Sequence, residues 1–374
     1  MPVKFIYGMS GCAKTTTAMK SLEHVKDFMC IAFTHSAVNN LKNIYYSLFK
    51  KVDTDNHFMT IHKFLRIPIN EDGSYTIIKH YKLNLSKIIM IDEFSLIPLD
   101  IMQYLFELSD TTGSTFIFIG DFIQLMPISP IKQPIDLKLL KSDFSNIKLN
   151  FNEAIRIADH LSNSVFINDY FIKADKLILT HNYRNNDNVY QILKNALDMK
   201  FEIISNSMIQ EYVKNGYIVI SSMYEHLKRA YLLSNINEGI IKTCKIGKIK
   251  VKVNDKMTLM ENISTEFVNG DTVTIDEILN DNDVAINKNG MKLIINVNKL
   301  LPYNFITCHK AQGRTIPKII VILDDLFEIT MLYTAITRAK EDVKFVQFKQ
   351  NLPQTFKDDL NAFKIMRDVI YKLN

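Results

Sequence analysis

Tryptophan is absent from this chain, so any stacking on a base must use tyrosine, phenylalanine or histidine. Cysteine is scarce: Cys12, Cys30, Cys244 and Cys308 lie scattered with no paired spacing, which fits reduced thiols and argues against a zinc site. No apolar run approaches the length of a membrane span. The start, MPVKFIYG, lacks the charged-then-apolar order of a signal peptide, so an intracellular protein is expected. A large charge excess is missing too; the net charge of +5 is compatible with a polyanionic partner and too mild to imply one. There is no internal repeat and no low-complexity linker. What remains is 374 residues, 47% hydrophobic and 23% charged, ordinary for a globular protein of two compact units.

Short apolar runs recur, each followed by a polar or glycine-containing turn and a helical pattern. VKFIYG, FMCIAF, KIIMIDEF and TFIFIGD come first, then KLILTHNY, YIVISS, KIIVIL and VKFVQF. Near-continuous apolar strands alternating with helices predict parallel sheets covered on both faces. The first four runs are expected in one sheet and the last four in another. Residues 130–175 show no clear strand and read as a bridge. Residues 245–300 alternate in polarity instead, with hairpin turns expected at Asn269-Gly270 and Asn289-Gly290. The domains that follow are 1–135 and 177–374, joined by 136–176, with a β insertion near 245–300 in the second.

The stretch GMSGCAKTTT at residues 8 to 17 nearly spells the phosphate-loop pattern G-x-x-x-x-G-K-[ST], with Ala13 in the place of the last glycine. A buried strand runs into Gly8, and Lys14-Thr15-Thr16 opens a helix, whose start offers unpaired N–H groups and a favourable dipole to phosphate. Gly8 and Gly11 supply backbone freedom, and Ala13 is expected in right-handed geometry at the helix entry. In this reading Lys14 reaches the β and γ phosphates and Thr15 holds Mg²⁺; a plain strand-to-helix turn is the alternative. In IIMIDEFSLI, Asp92 and Glu93 leave the end of an apolar strand, where open parallel sheets bind ligands. Asp92 suits Mg²⁺ and Glu93 suits activation of the attacking water. FIFIGDFIQLMPI ends another strand at Gly120-Asp121 and puts Gln124 where it can sense a γ-phosphate.

Two arginines of the expected second domain, Arg184 in KLILTHNYRNND and Arg338 in LYTAITRAKEDV, suit the spread charge of phosphoryl transfer, although an isolated arginine more often makes a surface ion pair. Three segments suit nucleic acid, although each also reads as a solvated turn. AFTHSAVNNL offers Thr34, His35 and Asn39; TIHKFLRI offers His62, Lys63, Phe64 and Arg66; TCHKAQGRT offers Thr307, His309, Lys310, Gln312 and Arg314 around Gly313. KIGKIKVKV puts Lys248, Lys250 and Lys252 on one strand face, a pattern that also protects a sheet edge.

Taken in order, these segments resemble the motif series of superfamily 1 helicases, most nearly the RecD- and Dda-type group that moves 5′ to 3′. The match runs through GMSGCAKT, AFTHSAVNNL, TIHKFLRI, MIDEFSLI, IGDFIQLMPI, LTHNYR, FVNGDTVTI, TCHKAQGRT and LYTAITRAK, from Gly8 to Lys340. The resemblance implies an α/β fold of two tandem RecA-like P-loop NTPase domains, with ATP in the cleft between them and single-stranded nucleic acid across their tops. It implies catalytic roles for Glu93, Gln124, Arg184 and Arg338, nucleotide contacts from Gly8, Gly11, Ala13, Lys14, Thr15, Thr16, Tyr183, Gln312 and Gly313, and Mg²⁺ on Thr15 and Asp92. Tyr183 resembles a tyrosine that stacks on the base. Thr34, His35, Asn39, His62, Lys63, Phe64, Thr307, His309 and Lys310 fall to the nucleic-acid strand. A small insertion near 62–86 is expected to carry a strand-separating pin turning at Asp72-Gly73.

The chain departs from that pattern at Ala13. It also starts directly on the first strand, without the upstream glutamine segment that relatives use to read adenine, so other NTPs are expected alongside ATP. The short β insertion predicts modest grip without a partner. The expected activity is NTP-driven translocation on single strands and duplex unwinding by a monomer, with DNA ahead of RNA as the partner. Alternatives are a viral-type superfamily 1 RNA helicase and a nucleic-acid-binding accessory protein with an idle nucleotide site.

Overall fold

The structure, a computed structural model, describes residues 3–51, 57–68, 75–78, 85–125, 174–234, 239–323 apart from 245, 265 and 281, 328–348, and residues 359, 360, 363, 364 and 367. The chain divides into two compact units, Met1–Arg184 with Lys357–Asn374, and Asn185–Phe356. Most of the expected connecting segment and the turn at Asp72-Gly73 lie outside the described residues. No helix among the described residues is long and apolar enough to cross a membrane.

The first unit is built on six parallel strands, β1 Val3–Gly8, β2 Phe28–Ala32, β3 Phe58–Thr60, β4 Ile88–Asp92, β5 Thr115–Gly120 and β6 Asp175–Leu179, in the order β3-β2-β4-β5-β1-β6. The central strands are apolar on both sides because helices cover both faces of a parallel sheet. On one face Ala18 and Met19 of helix α1 (Lys14–Lys20) and Leu41 of helix α2 (His35–Phe49) pack with Cys30, Met90 and Ile119. Phe5 and Phe118 stack at 5.1 Å, and Phe94 meets Phe5 edge-on at 5.7 Å. Helix α2 starts where Thr34 accepts a hydrogen bond from the Ala37 N–H at 3.2 Å, and it stops at Lys50 in left-handed geometry. All six strands point the same way, so their carboxyl ends share one edge, the edge on which open α/β sheets bind ligands.

Two expectations fail in this unit. KLILTHNY does not open the second sheet; its strand β6 lies parallel to β1, with Lys4 opposite Asp175 and Gly8 opposite Leu179. Asp175, Lys176 and Leu177 are exposed, as an edge strand allows. The residues that follow β6, up to Arg184, therefore belong to the first unit. Second, Ala13 is left-handed, with φ 55° and ψ 30°, and not the right-handed helix entry foreseen. The pattern's last glycine stands at a position that needs positive φ, and a Cβ there costs about 1–2 kcal/mol.

The second unit carries a parallel sheet, β15-β7-β16-β17, from β7 Ile218–Ser221, β15 Phe305–Thr307, β16 Ile316–Leu323 and β17 Ala339–Gln347. Between β7 and β15 come a two-stranded hairpin, β8 Ile240–Cys244 with β9 Gly247–Val251, and an antiparallel sheet in the order β13-β12-β11-β10-β14. The latter uses β10 Lys256–Leu259, β11 Thr272–Ile278, β12 Asp283–Lys288, β13 Met291–Asn296 and β14 Leu300–Pro302. Asn289-Gly290 is the two-residue turn expected, both residues at positive φ, with Lys288 opposite Met291. Asn269-Gly270 is not a tight hairpin: β10 and β11 pair through Thr258 and Thr272, which makes this turn the end of a longer loop. Ile249 and Val251 of β9 face inward while Lys248 and Lys252 are exposed.

Two substitutions test the backbone of the phosphate loop. A Cβ on Gly8 would meet the Leu179 carbonyl oxygen at 2.1 Å, so Gly8→Ala is expected to lower unfolding free energy by about 2 kcal/mol in a urea titration. Ala13→Gly removes the Cβ from a left-handed residue and is expected to raise stability by about 0.5–1 kcal/mol, with nucleotide affinity retained.

Candidate nucleotide site and strand-binding segments

The phosphate loop wraps because two glycines meet two different needs. Gly8 lies against the β6 backbone, and Gly11, at φ 87°, lies where a Cβ would come 2.5 Å from Asn182 Oδ1 and 3.0 Å from Arg184 Cβ. Lys14 folds back beneath the loop, its Nζ donating to the Gly8 carbonyl at 2.8 Å and the Met9 carbonyl at 2.9 Å. Burial holds the Lys14 ammonium below its usual pKa, against the opposing pull of Asp121 and Glu93. A lysine held there is placed to exchange carbonyl oxygens for phosphate oxygens.

Thr15 Oγ1 donates to Asp92 Oδ1 at 3.0 Å, which brings together the two residues expected to hold Mg²⁺. Asp92 is buried, and burial, then the neighbouring Glu93 carboxylate, pushes its carboxyl well above the usual range; the Thr15 hydroxyl and Lys14 pull it the other way. A hydroxyl and a buried carboxylate in contact form an all-oxygen donor pair of the kind a hard divalent cation takes. Glu93 follows at once, half-buried and left-handed at φ 53°. That strained, left-handed residue ends β4 and opens the short turn Phe94–Leu96.

Asp121, fully buried beyond β5, is the residue that sequence reasoning passed over. Its Oδ1 accepts from the Ile123 N–H at 3.1 Å and its Oδ2 from Gln124 Nε2 at 3.1 Å, and its charge acts on both Lys14 and Cys12. Asp121 thus ties the orientation of the buried Gln124 amide to the phosphate lysine. Its signal was a carboxylate at the end of a buried strand, the same signal that singled out Asp92. Ser10 and Asn182 were also missed, and small polar residues in loops carry no such signal.

The loop after β6 closes against the phosphate loop. The Tyr183 N–H donates to the Gly11 carbonyl at 2.9 Å, the Arg184 N–H to Asn182 Oδ1 at 2.9 Å, and Arg184 Nη1 to Ser10 Oγ at 3.0 Å. Arg184 is accordingly a neighbour of the phosphate loop within one unit and does not come from the far half as expected; the pairing of β6 with β1 is the cause. Tyr183 is 71% exposed, its ring edge-on to His181 at 4.4 Å, leaving a face open for stacking. Arg338 ends the helix Ile329–Arg338 of the second unit and is buried at 1% exposure, too deep for a simple surface ion pair.

The strand-binding candidates divide between the units. Thr34, His35 and Asn39 are exposed after β2, and His62 and Lys63 follow β3, the next strand of the sheet. Phe33 and His62 approach to 5.1 Å, linking these two segments. Phe64 is buried at 9% exposure in the apolar core, which removes it as a stacking surface. In the second unit Thr307 and Gln312 are buried, Gly313 takes φ 76°, and His309 is half-buried, its imidazole pushed below its usual pKa by burial. Lys310 is engaged with Asn269 at 2.7 Å.

Known proteins bear on this arrangement. An AAA domain model matches residues 1–130, and a UvrD-like helicase C-terminal domain model matches residues 304–346. No curated protein matches the chain. Among solved structures, a Pif1 helicase complex at forked double-stranded DNA is 20% identical with a TM-score of 0.57, covering 96% of this chain and 92% of the other. The Bacteroides Pif1 helicase with ADP-AlF3 and single-stranded DNA is 19% identical with a TM-score of 0.54, covering 97% and 93%. The Candida albicans Pif1 helicase is 14% identical with a TM-score of 0.53, covering 98% and 96%. These likenesses establish the fold, two RecA-like domains, and the family models fall on the two ends of the motif series. The chain thus has the two-domain fold of the Pif1 helicases, and its two ends match an AAA domain and a UvrD-like helicase C-terminal domain.

Proposed function

We propose that this chain is an NTP-driven translocase on single-stranded DNA, moving 5′ to 3′ and unwinding the duplex it meets, with ATP as a fuel. The observation that carries the reading is the Thr15–Asp92 contact together with the buried Lys14, whose charge feels Asp121, Glu93 and Arg184. A phosphate lysine alone is common. A phosphate lysine with a cation pair, a candidate base and a guanidinium group at the strand ends of one sheet is a hydrolytic site. The Bacteroides Pif1 helicase solved with ADP-AlF3 and single-stranded DNA supports both ligand classes.

Within that reading Lys14 leaves the Gly8 and Met9 carbonyls and binds the β and γ phosphates, while the loop's N–H groups orient them. Thr15 and Asp92 would hold Mg²⁺, which supplies positive charge to the phosphate oxygens when bound. Glu93 orients the attacking water and takes its proton. Gln124, steered by Asp121, senses the γ-phosphate, and Arg184 gives its fork to the charge that develops on the transferred group; the motif series assigns Arg338 the same chemistry. Thr34, His35 and His62 contact the strand's backbone from the unit that holds the phosphate loop, and Thr307 and His309 do so from the second unit. The four described cysteines are free and buried, which suits a reducing compartment.

Hydrolysis of ATP and other NTPs with and without oligo(dT) tests the activity, and a rate insensitive to oligo(dT) would count against a translocase. Lys14→Ala and Glu93→Gln are each expected to lower turnover by a factor of about 10² or more. Glu93→Gln should still bind nucleotide in an equilibrium titration. Normal turnover in either variant removes its assignment. Strand displacement from substrates tailed on the 5′ or the 3′ side, run on DNA and RNA in parallel, is expected to favour the 5′-tailed DNA.

A further inference from the structure

The loop joining β10 to β11 ends in Asn269-Gly270-Asp271, and this turn holds two cations of the segment TCHKAQGRT. Lys310 Nζ donates to Asn269 Oδ1 at 2.7 Å and lies 3.2 Å from Met260 Sδ. Arg314 Nη2 donates to the Gly270 carbonyl at 2.6 Å. The turn is fixed from its own side as well. The Val268 N–H donates to Asp271 Oδ2 at 2.8 Å, the Gly270 N–H to the Leu259 carbonyl at 2.9 Å and the Asn269 N–H to Asn262 Oδ1 at 2.9 Å. Asp271 is paired with Lys288, and Gly270 stands at φ 93°, where a side chain is strained.

The segment held by this turn has little stability of its own. The helix Cys308–Ala311 is four residues long, and the Thr307 side chain makes no capping bond to it. A helix so short persists through tertiary contacts. Lys310 and Arg314 stand on either side of Gln312 and Gly313, so the two bonds bracket the flexible point at Gly313, φ 76°. Cys308 Sγ meets the Met331 carbonyl at 3.2 Å and anchors the segment's other end.

Resting on the strand-stimulated NTPase reading above, we propose that the Asn269-Gly270 turn is a positioning element for nucleic-acid binding. Lys310 and Arg314 are its braces and not phosphate ligands, and they make the β insertion and the Thr307–His309 contact surface move as one piece. Each cation has a fixed protein acceptor, and Arg314 is half-buried, so giving either to a phosphate would break a charge-assisted bond. Asn269 at the tip of the turn is neutral, so it acts through the hydrogen bond it accepts from Lys310 and not through a charge of its own.

The test titrates oligo(dT) against NTP hydrolysis at several salt concentrations for the parent chain, Asn269→Ala, Asn269→Asp and Arg314→Gln. Asn269→Ala and Arg314→Gln are expected to raise the half-saturating oligo(dT) about three- to tenfold. Asn269→Asp, which keeps the acceptor, should match the parent, and hydrolysis without oligo(dT) should be unchanged in Asn269→Ala. The dependence of log affinity on log salt should keep the parental slope in both affected variants, because no phosphate contact is lost. A slope shallower by about one in Arg314→Gln, with Asn269→Ala indistinguishable from the parent, overturns the proposal and makes Arg314 a phosphate ligand. Amide exchange over residues 308–314, measured without nucleic acid, should quicken in Asn269→Ala. Unchanged exchange overturns the brace even if hydrolysis ignores oligo(dT), an outcome that strikes the proposed function alone.

Discussion

Burying the Lys14 ammonium is the constraint around which the first unit is arranged. An unpaired charge moved out of water costs several kcal/mol. Here the Gly8 and Met9 carbonyls take two of the ammonium's donors, and the carboxylates of Asp121 and Glu93 supply the compensating field. Those carbonyls can point inward only if the chain turns tightly between Gly8 and Ala13. The tight turn needs positive φ at Gly11 and Ala13 and a bare Cα where β6 passes Gly8. Loop shape, glycine placement and carboxylate placement are thus consequences of one buried charge.

The same economy explains where backbone strain appears. Ala13 and Glu93, both non-glycine residues in left-handed geometry, stand directly beside Lys14 and Asp92. Such conformations persist when the surroundings over-determine them, and they gather at sites where a side chain must be aimed. At Ala13 the strain sets the entry of α1, so that Lys14 begins the helix and Thr15 reaches Asp92. At Glu93 it ends the alternation of β4, so that the carboxylate after Asp92 does not take the opposite-face direction that a continuing strand would give it.

Most of this site was legible in the sequence because its chemistry is carried by residue types that are rare at the ends of buried strands. Asp92 and Glu93 announced themselves in that way, Lys14 did so through the phosphate-loop spacing and Gln124 through its place after β5, and Asp121 carried the strand-end signal without being taken up. The alternating residues before and after Asn289-Gly290 and the inward Ile249 and Val251 followed from strand periodicity alone. What could not be read was which sheet a strand joins. The apolar run at Asp175–Leu179 is a strand in either sheet, and the run itself carries nothing that says it flanks β1. That single ambiguity moved Arg184 from the wrong half to the side of Ser10. Ala13 failed for a different reason: the residue type gives no sign of φ, and the missing glycine was itself the clue that the position requires the left-handed region. Phe64 shows the remaining limit, since an aromatic in a charged segment reads alike whether it stacks on a base or fills the core.

Sheet order also decides how the two kinds of ligand are related within the first unit. The nucleotide-site candidates follow β1, β4, β5 and β6, and the strand-binding candidates of this unit follow β2 and β3, at the other end of the same edge. The two groups meet where β2 lies beside β4, in a register that sets Ala32 opposite Asp92. Thr34 stands two residues beyond Ala32 and caps α2, while Asp92 holds Thr15 of α1. A rigid parallel ladder therefore joins the start of the helix that would meet a strand's phosphates to the carboxylate that would hold the nucleotide's cation. Packed interiors transmit small shifts because they cannot absorb them locally. If Thr34 meets a strand as proposed, the register of β2 against β4 sets that contact two residues beyond the ladder partner of Asp92.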